Sequence, residues 1–114
     1  MAVTDEYLAY AVGQLSALQS VSSRRMFGGV SLYQAGAIFA LIDNDTLYFK
    51  VDEGNRCDYK AEGMEPFCPF GQNGPTMSYY QVPEAVIEQP DDLAIWARKS
   101  VEVSHRTKRK NKKR

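Results

Sequence analysis

The side chains able to do chemistry are few and scattered. His105 is the sole histidine, and Cys57 and Cys68 are the two thiols. A nucleophile triad needs an imidazole beside an activated Ser or Cys, but His105 lies between Ser104 and Arg106, where the sequence suits a helix end. Ten residues separate the cysteines, so they form no C-x-x-C pair. They read as ordinary thiols of a reducing compartment, with a bridge or redox sensor as the alternative. Zinc needs a fuller ligand set than these residues supply. Asp43, Asp45, Asp52 and Glu53 surround a hairpin turn and a helix start and lack calcium-loop spacing. Gly28-Gly29 has no Gly-Lys-Ser/Thr after it, which makes it backbone geometry and not a phosphate loop. The expectation is a protein without catalytic residues, metal or cofactor, and not an enzyme.

Charge is more informative. Residues 1–105 hold 7 basic and 14 acidic groups, a formal −7, and residues 106–114 hold +7, so the zero net charge hides an acidic body and a basic tail. Lys108, Arg109, Lys110, Lys112, Lys113 and Arg114 are the candidate nucleic-acid contacts, with a merely solvated run as the alternative. If all seven tail charges neutralised phosphates, the salt slope would approach about −6. In the body, Arg24, Arg25, Lys50, Arg56 and Lys60 are too few for a DNA-binding face. Tyr33, Tyr48, Phe49, Tyr79 and Tyr80 could suggest a stacking platform. Adjacent strand residues point to opposite faces, however, so Tyr79 and Tyr80 cannot share one.

These residues must be positioned by a small α+β scaffold. Thr4 caps a first helix whose apolar stripe is Leu8, Ala11, Val12, Leu15 and Leu18, and Ser20–Ser23 ends it. Gly28-Gly29 permits a bulge or positive φ at a β entry. Val30–Tyr33, Ala37–Ile42 and Thr46–Val51 read as strands joined by Gln34-Ala35-Gly36 and Asp43-Asn44-Asp45, giving two consecutive hairpins with Ala37–Ile42 central. A short helix reaches Ala61, with Gly63 just beyond it. Pro66 and Pro69 make Glu65–Phe70 a loop or irregular edge. Gly71–Pro75 is a turn, Met77–Val82 returns to β character, and Pro83 stops it. Asp91 or Asp92 caps a last helix packed through Leu93, Trp96, Ala97, Ser100 and Val103, which frays into the basic tail. The organisation is one domain over residues 1–105 and a tail over 106–114. The N-terminus lacks the pattern of a signal peptide and no run is long enough to span a membrane, so a cytoplasmic protein is expected.

Arg24-Arg25-Met26-Phe27-Gly28-Gly29, Leu32-Tyr33, Phe39-Ala40-Leu41-Ile42, Leu47-Tyr48-Phe49-Lys50, Asp52, Asn55-Arg56, Gly63, Pro66-Phe67, Tyr79-Tyr80, Pro83, Leu93 and Trp96-Ala97 follow one another at informative spacing. In this order they resemble the TfoX (Sxy) N-terminal domain family over roughly Leu8 to Val103. The resemblance implies a two-layer fold, an antiparallel sheet with helices packed on it, similar to secretion-chaperone-like domains and prone to form homodimers. It also implies a bacterial competence regulator, acting with a transcription activator resembling the cyclic-AMP receptor protein. No catalytic residue is implied. Arg24, Arg25, Lys50 and Arg56 are the expected partner contacts, because charged residues within family motifs seldom serve a core. Competence regulators of this type carry a second, C-terminal domain resembling a helix-hairpin-helix module. In its place this sequence has the basic run, a candidate substitute DNA contact.

Overall fold

A computed structural model describes residues 3–26, 28–67 and 78–112, with the backbone alone for Met26 and 107–112. Thr4 accepts a hydrogen bond from the Tyr7 amide through its hydroxyl and so caps α1, Asp5–Gln14, with Asp5 and Glu6 in the first turn. The helix is shorter than the apolar stripe suggests. Leu15 and Leu18 are buried from the turns that follow it.

The chain then runs up and down as β1, Val21–Met26; β2, Gly29–Gln34; β3, Ala37–Asp43; and β4, Thr46–Lys50. After α2, Arg56–Ala61, comes β5, Tyr79–Gln81. The sheet is antiparallel in the order β1-β2-β3-β4-β5, which puts β3 at the centre as the sequence indicates. Three hairpins succeed one another, not two, because Val21–Met26 is itself a strand paired from Val21↔Gln34 to Met26↔Gly29. Two of the turns have the paired positive φ of a two-residue primed turn: Ala35 and Gly36 at 51° and 86°, Asn44 and Asp45 at 52° and 54°. Gly28, at φ 81°, turns β1 into β2.

Beyond α2, Gly63 takes φ 74°, and Pro66 makes an isolated bridge to Tyr80 at the sheet edge. Cys68, Pro69, the Gly71–Pro75 turn and Met77 lie outside the described residues. Pro83 ends β5 and opens a short helix α3, Glu84–Ile87. The last helix, α4, is Pro90–Lys112. It begins at Pro90 and not at an Asp91 or Asp92 cap, since proline suits the first helical position and both acids fall within the first turn. Its helical backbone continues through residues 106–112. No helix among the described residues is long and apolar enough to cross a membrane.

One face of the sheet carries the core. Val30, Leu32, Ala40, Ile42, Leu47 and Phe49 meet Ala11 and Leu15 near α1 and Leu93 and Ala97 of α4 in one buried cluster. Phe39 packs on Phe49 with ring centroids 5.8 Å apart, and Tyr59 of α2 meets Trp96 of α4 edge to face at 4.7 Å. The molecule is thus the two-layer α+β arrangement that the sequence implies: an antiparallel sheet with helices packed against it.

Candidate functional site

The register builds a second surface on the outer face of the sheet. Arg24 pairs with Ser31, Ser31 with Leu41, Leu41 with Tyr48 and Tyr48 with Gln81, a row crossing all five strands. Side chains alternate along a strand, so Tyr33 and Lys50 join this face two residues beyond Ser31 and Tyr48, and Tyr79 joins as the partner of Lys50. Arg24 is exposed, whereas Tyr33, Leu41, Tyr48 and Lys50 are half-buried. Tyr48 packs against Phe67 with tilted rings whose centroids are 4.5 Å apart. Burial, with the nearby Tyr33 adding to it, pushes the Tyr79 hydroxyl up to about 12. Desolvation lowers the Lys50 ammonium below the ordinary lysine value, and no acid pairs with it among the described residues. Arg24 has no such partner either. A face of aromatic and aliphatic side chains between two cations can take an acidic, partly apolar protein surface.

Of the four body residues singled out by sequence, only Arg24 and Lys50 share this face. Arg25 pairs with Val30 and therefore lies on the helix side. It donates to the Val3 carbonyl at 3.1 Å and to Asp5 at 2.7 Å, tying β1 to the start of α1. Asp45, from the β3–β4 turn, holds the same helix start by accepting from the Thr4 amide and hydroxyl at 2.8 and 3.0 Å. Arg56 opens α2, where its charge helps hold the Asp52 carboxyl down. Tyr79 and Tyr80 do face opposite ways, Tyr80 packing on Tyr59 at 5.7 Å. The aromatic residues are accordingly divided between the two faces.

A third construction joins β4, α2 and α4. Asp52 accepts from Arg106 Nε at 3.0 Å and Nη2 at 2.9 Å, and from the Gly54 amide at 2.8 Å. This two-pronged hydrogen bond from Arg106 is the chief reason its carboxyl titrates below the ordinary aspartate value. Buried Asn55 accepts from the Asp52 amide at 2.9 Å and donates to the Lys50 carbonyl at 3.2 Å, where Ser100 of α4 also donates at 2.7 Å. Arg106, counted from the sequence as tail, is thereby fixed to the body. Sequence reasoning did not find this clasp, and 54 positions of separation leave no local signal for it. Lys108, Arg109, Lys110 and Lys112 lie on the helical backbone of α4, while Lys113 and Arg114 lie outside the described residues.

Among the described residues the thiol and the imidazole do not converge. Cys57 is exposed on α2, beside an ion pair of Asp58 with Lys99 at 2.8 Å, and His105 is exposed on α4. Among the described residues no three His, Cys, Asp or Glu side chains group to hold a metal. A shallow groove of about 480 Å³ runs between the link after α1 and α4, with Arg98 and Glu102 on its α4 wall. Nothing in the sequence pattern pointed to it.

No curated protein matched the chain. The family model of the TfoX N-terminal domain matches residues 13–104, from the end of α1 through Ser104 of α4. That span includes the whole sheet, the outer face and the Asp52–Asn55 turn, and it stops before Arg106 and the basic residues beyond it. Most of the chain is covered, and it belongs to the TfoX N-terminal domain family.

Proposed function

We propose that this protein is a non-enzymatic, competence-related regulator or adaptor of the bacterial cytoplasm. It works as a homodimer, through contact with a transcription activator resembling the cyclic-AMP receptor protein. The observation that carries the reading is the outer face of the sheet, where Arg24 and Lys50, without acidic partners among the described residues, stand beside half-buried Tyr33, Leu41 and Tyr48. Family membership supports the competence-related role. The test is a labelled competence-promoter duplex titrated with the activator, with and without this protein. Arg24→Glu and Lys50→Glu together should weaken its tightening of the activator–DNA complex by at least about tenfold, equivalent to roughly 1.4 kcal/mol. The melting temperature should stay unchanged. A melted domain, or undiminished tightening, would remove the outer face from the mechanism.

A second reading, direct nucleic-acid binding through Lys108, Arg109, Lys110, Lys112, Lys113 and Arg114, is favoured by one observation. The backbone of α4 continues as helix through Lys112, carrying four of these six residues on ordered secondary structure.

A further inference from the structure

We propose that the basic end of α4 contacts duplex DNA as a preformed helix lying in the major groove, with Arg106 spent on fixing that helix to the body. This rests on the nucleic-acid reading above and goes beyond it in naming the ligand's form and the device that positions the contact.

The pattern of residues is that of a helix, not of a loose polycation. Leu93, Ala94, Ala97, Ser100, Val103 and Ser104 form the buried face of α4, with Leu93, Ala97, Ser100 and Ser104 along its middle. A period of 3.6 residues carries the same line to Thr107 and Asn111, the two uncharged positions within residues 106–114. Lys108, Arg109, Lys110 and Lys112 fall to either side of that middle line and behind it. An unstructured tail has no need of that spacing. Cations in the last turns also complement the negative end of the helix dipole.

The clasp supplies the positioning. Arg106, the residue just before this run, is held by both oxygens of Asp52. A Cβ at position 54 would stand 3.0 Å from Arg106 Nη2 and 3.2 Å from Asp52 Oδ1, so any larger residue there would make the pair give by a few tenths of an ångström. The helix therefore leaves the body from a fixed point. The body itself, at a formal −7, repels a polyanion and confines contact to that end.

Duplex DNA suits this element better than a single strand. A helix about 10–12 Å across matches a major groove about 12 Å wide. Single-strand binders stack bases on aromatic rings, and residues 106–114 contain none. The contact also lies beyond the family match at residues 13–104.

The experiment is fluorescence anisotropy of the full chain with a labelled mixed-sequence duplex and, separately, one of its strands, across a salt series. Six phosphate-neutralising charges give a slope near about −5. Thr107→Pro keeps every charge, removes one intrahelical hydrogen bond and clashes with the preceding turn. It should weaken duplex binding by about tenfold or more while far-UV circular dichroism shows the body still folded, with some loss of melting temperature because the clash falls on the turn that carries Val103 and Arg106. Gly54→Ala, also charge-neutral, should give a smaller loss in the same direction. Equal binding by Thr107→Pro and the intact chain would overturn the preformed helix and leave the nucleic-acid reading standing. A single strand bound more tightly than the duplex would do the same. Failure of the intact chain to bind either probe at low salt, or undiminished binding by a chain ending at Thr107, would remove both.

Discussion

The two faces of one sheet are made from the same strands and put to opposite uses. Along β4, Leu47 and Phe49 are fully buried against the helices, while Tyr48 and Lys50 are half-exposed on the other side. Along β1 the division falls between adjacent arginines. Arg25 ties the sheet to the start of α1, and Arg24 has no acidic partner among the described residues. A residue type within a family motif therefore does not disclose its role. The register does, because a shift of one position exchanges the two faces entirely.

The sharpest way to break this comparison is to truncate neighbours. Phe49→Ala should cost about 3–5 kcal/mol in urea unfolding, the usual loss for a fully buried phenylalanine. Tyr48→Ala, next to it, should cost well under half of that. Equal losses would mean that the outer face is as much core as the inner one. A smaller contrast is expected in β1. Arg25→Ala removes the hydrogen bond to the Val3 carbonyl and should cost about 1 kcal/mol. Its ion pair with the almost fully exposed Asp5 adds little. Arg24→Ala should stay within about 0.5 kcal/mol by the same measurement.

The smallest effect is a pH dependence. The folded-state carboxyl of Asp52 titrates below its ordinary value, so the folded state binds fewer protons there than the unfolded chain. Its contribution is complete above the unfolded aspartate value of about 3.9 and is lost as pH falls through the lower folded value. The stability gap between the intact chain and Asp52→Asn should accordingly be flat near neutrality and close only in that acid window. Asp52 and Arg106 are each more than a third exposed, so the gap should be modest. A gap that grew on acidification would contradict the assignment.

Much of the scaffold is legible because its signals are local. Asn44-Asp45 and Ala35-Gly36 announce turns by tolerating positive φ, and the apolar run Ala37–Ile42 announces a central strand. Thr4 before Asp5 and Glu6 announces a helix start. β1 is not legible, because Ser20–Ser23 reads as a break and the strand takes its order from pairing with β2. Likewise, the joint presence of Arg24 and Lys50 on one face follows from the pairings Arg24↔Ser31, Ser31↔Leu41 and Leu41↔Tyr48 across four strands. The Asp52–Arg106 clasp depends on where α4 passes the β4–α2 turn, a tertiary fact without sequence periodicity. Family-motif residues Asp52 and Asn55 thus prove to be braces of that turn.

The run of three hairpins has a consequence for how the chain gathers itself. Each of the pairings β1–β2, β2–β3 and β3–β4 closes over a two-residue loop. The pairing of β4 with β5 must instead bring together segments separated by residues 51–78. Loop-closure entropy grows with the logarithm of length, so that last pairing costs on the order of 2 kcal/mol more to close. The four-strand meander is the inexpensive part of the topology in configurational terms. The far edge of the sheet, which β5 completes, draws on interactions gathered from distant parts of the chain.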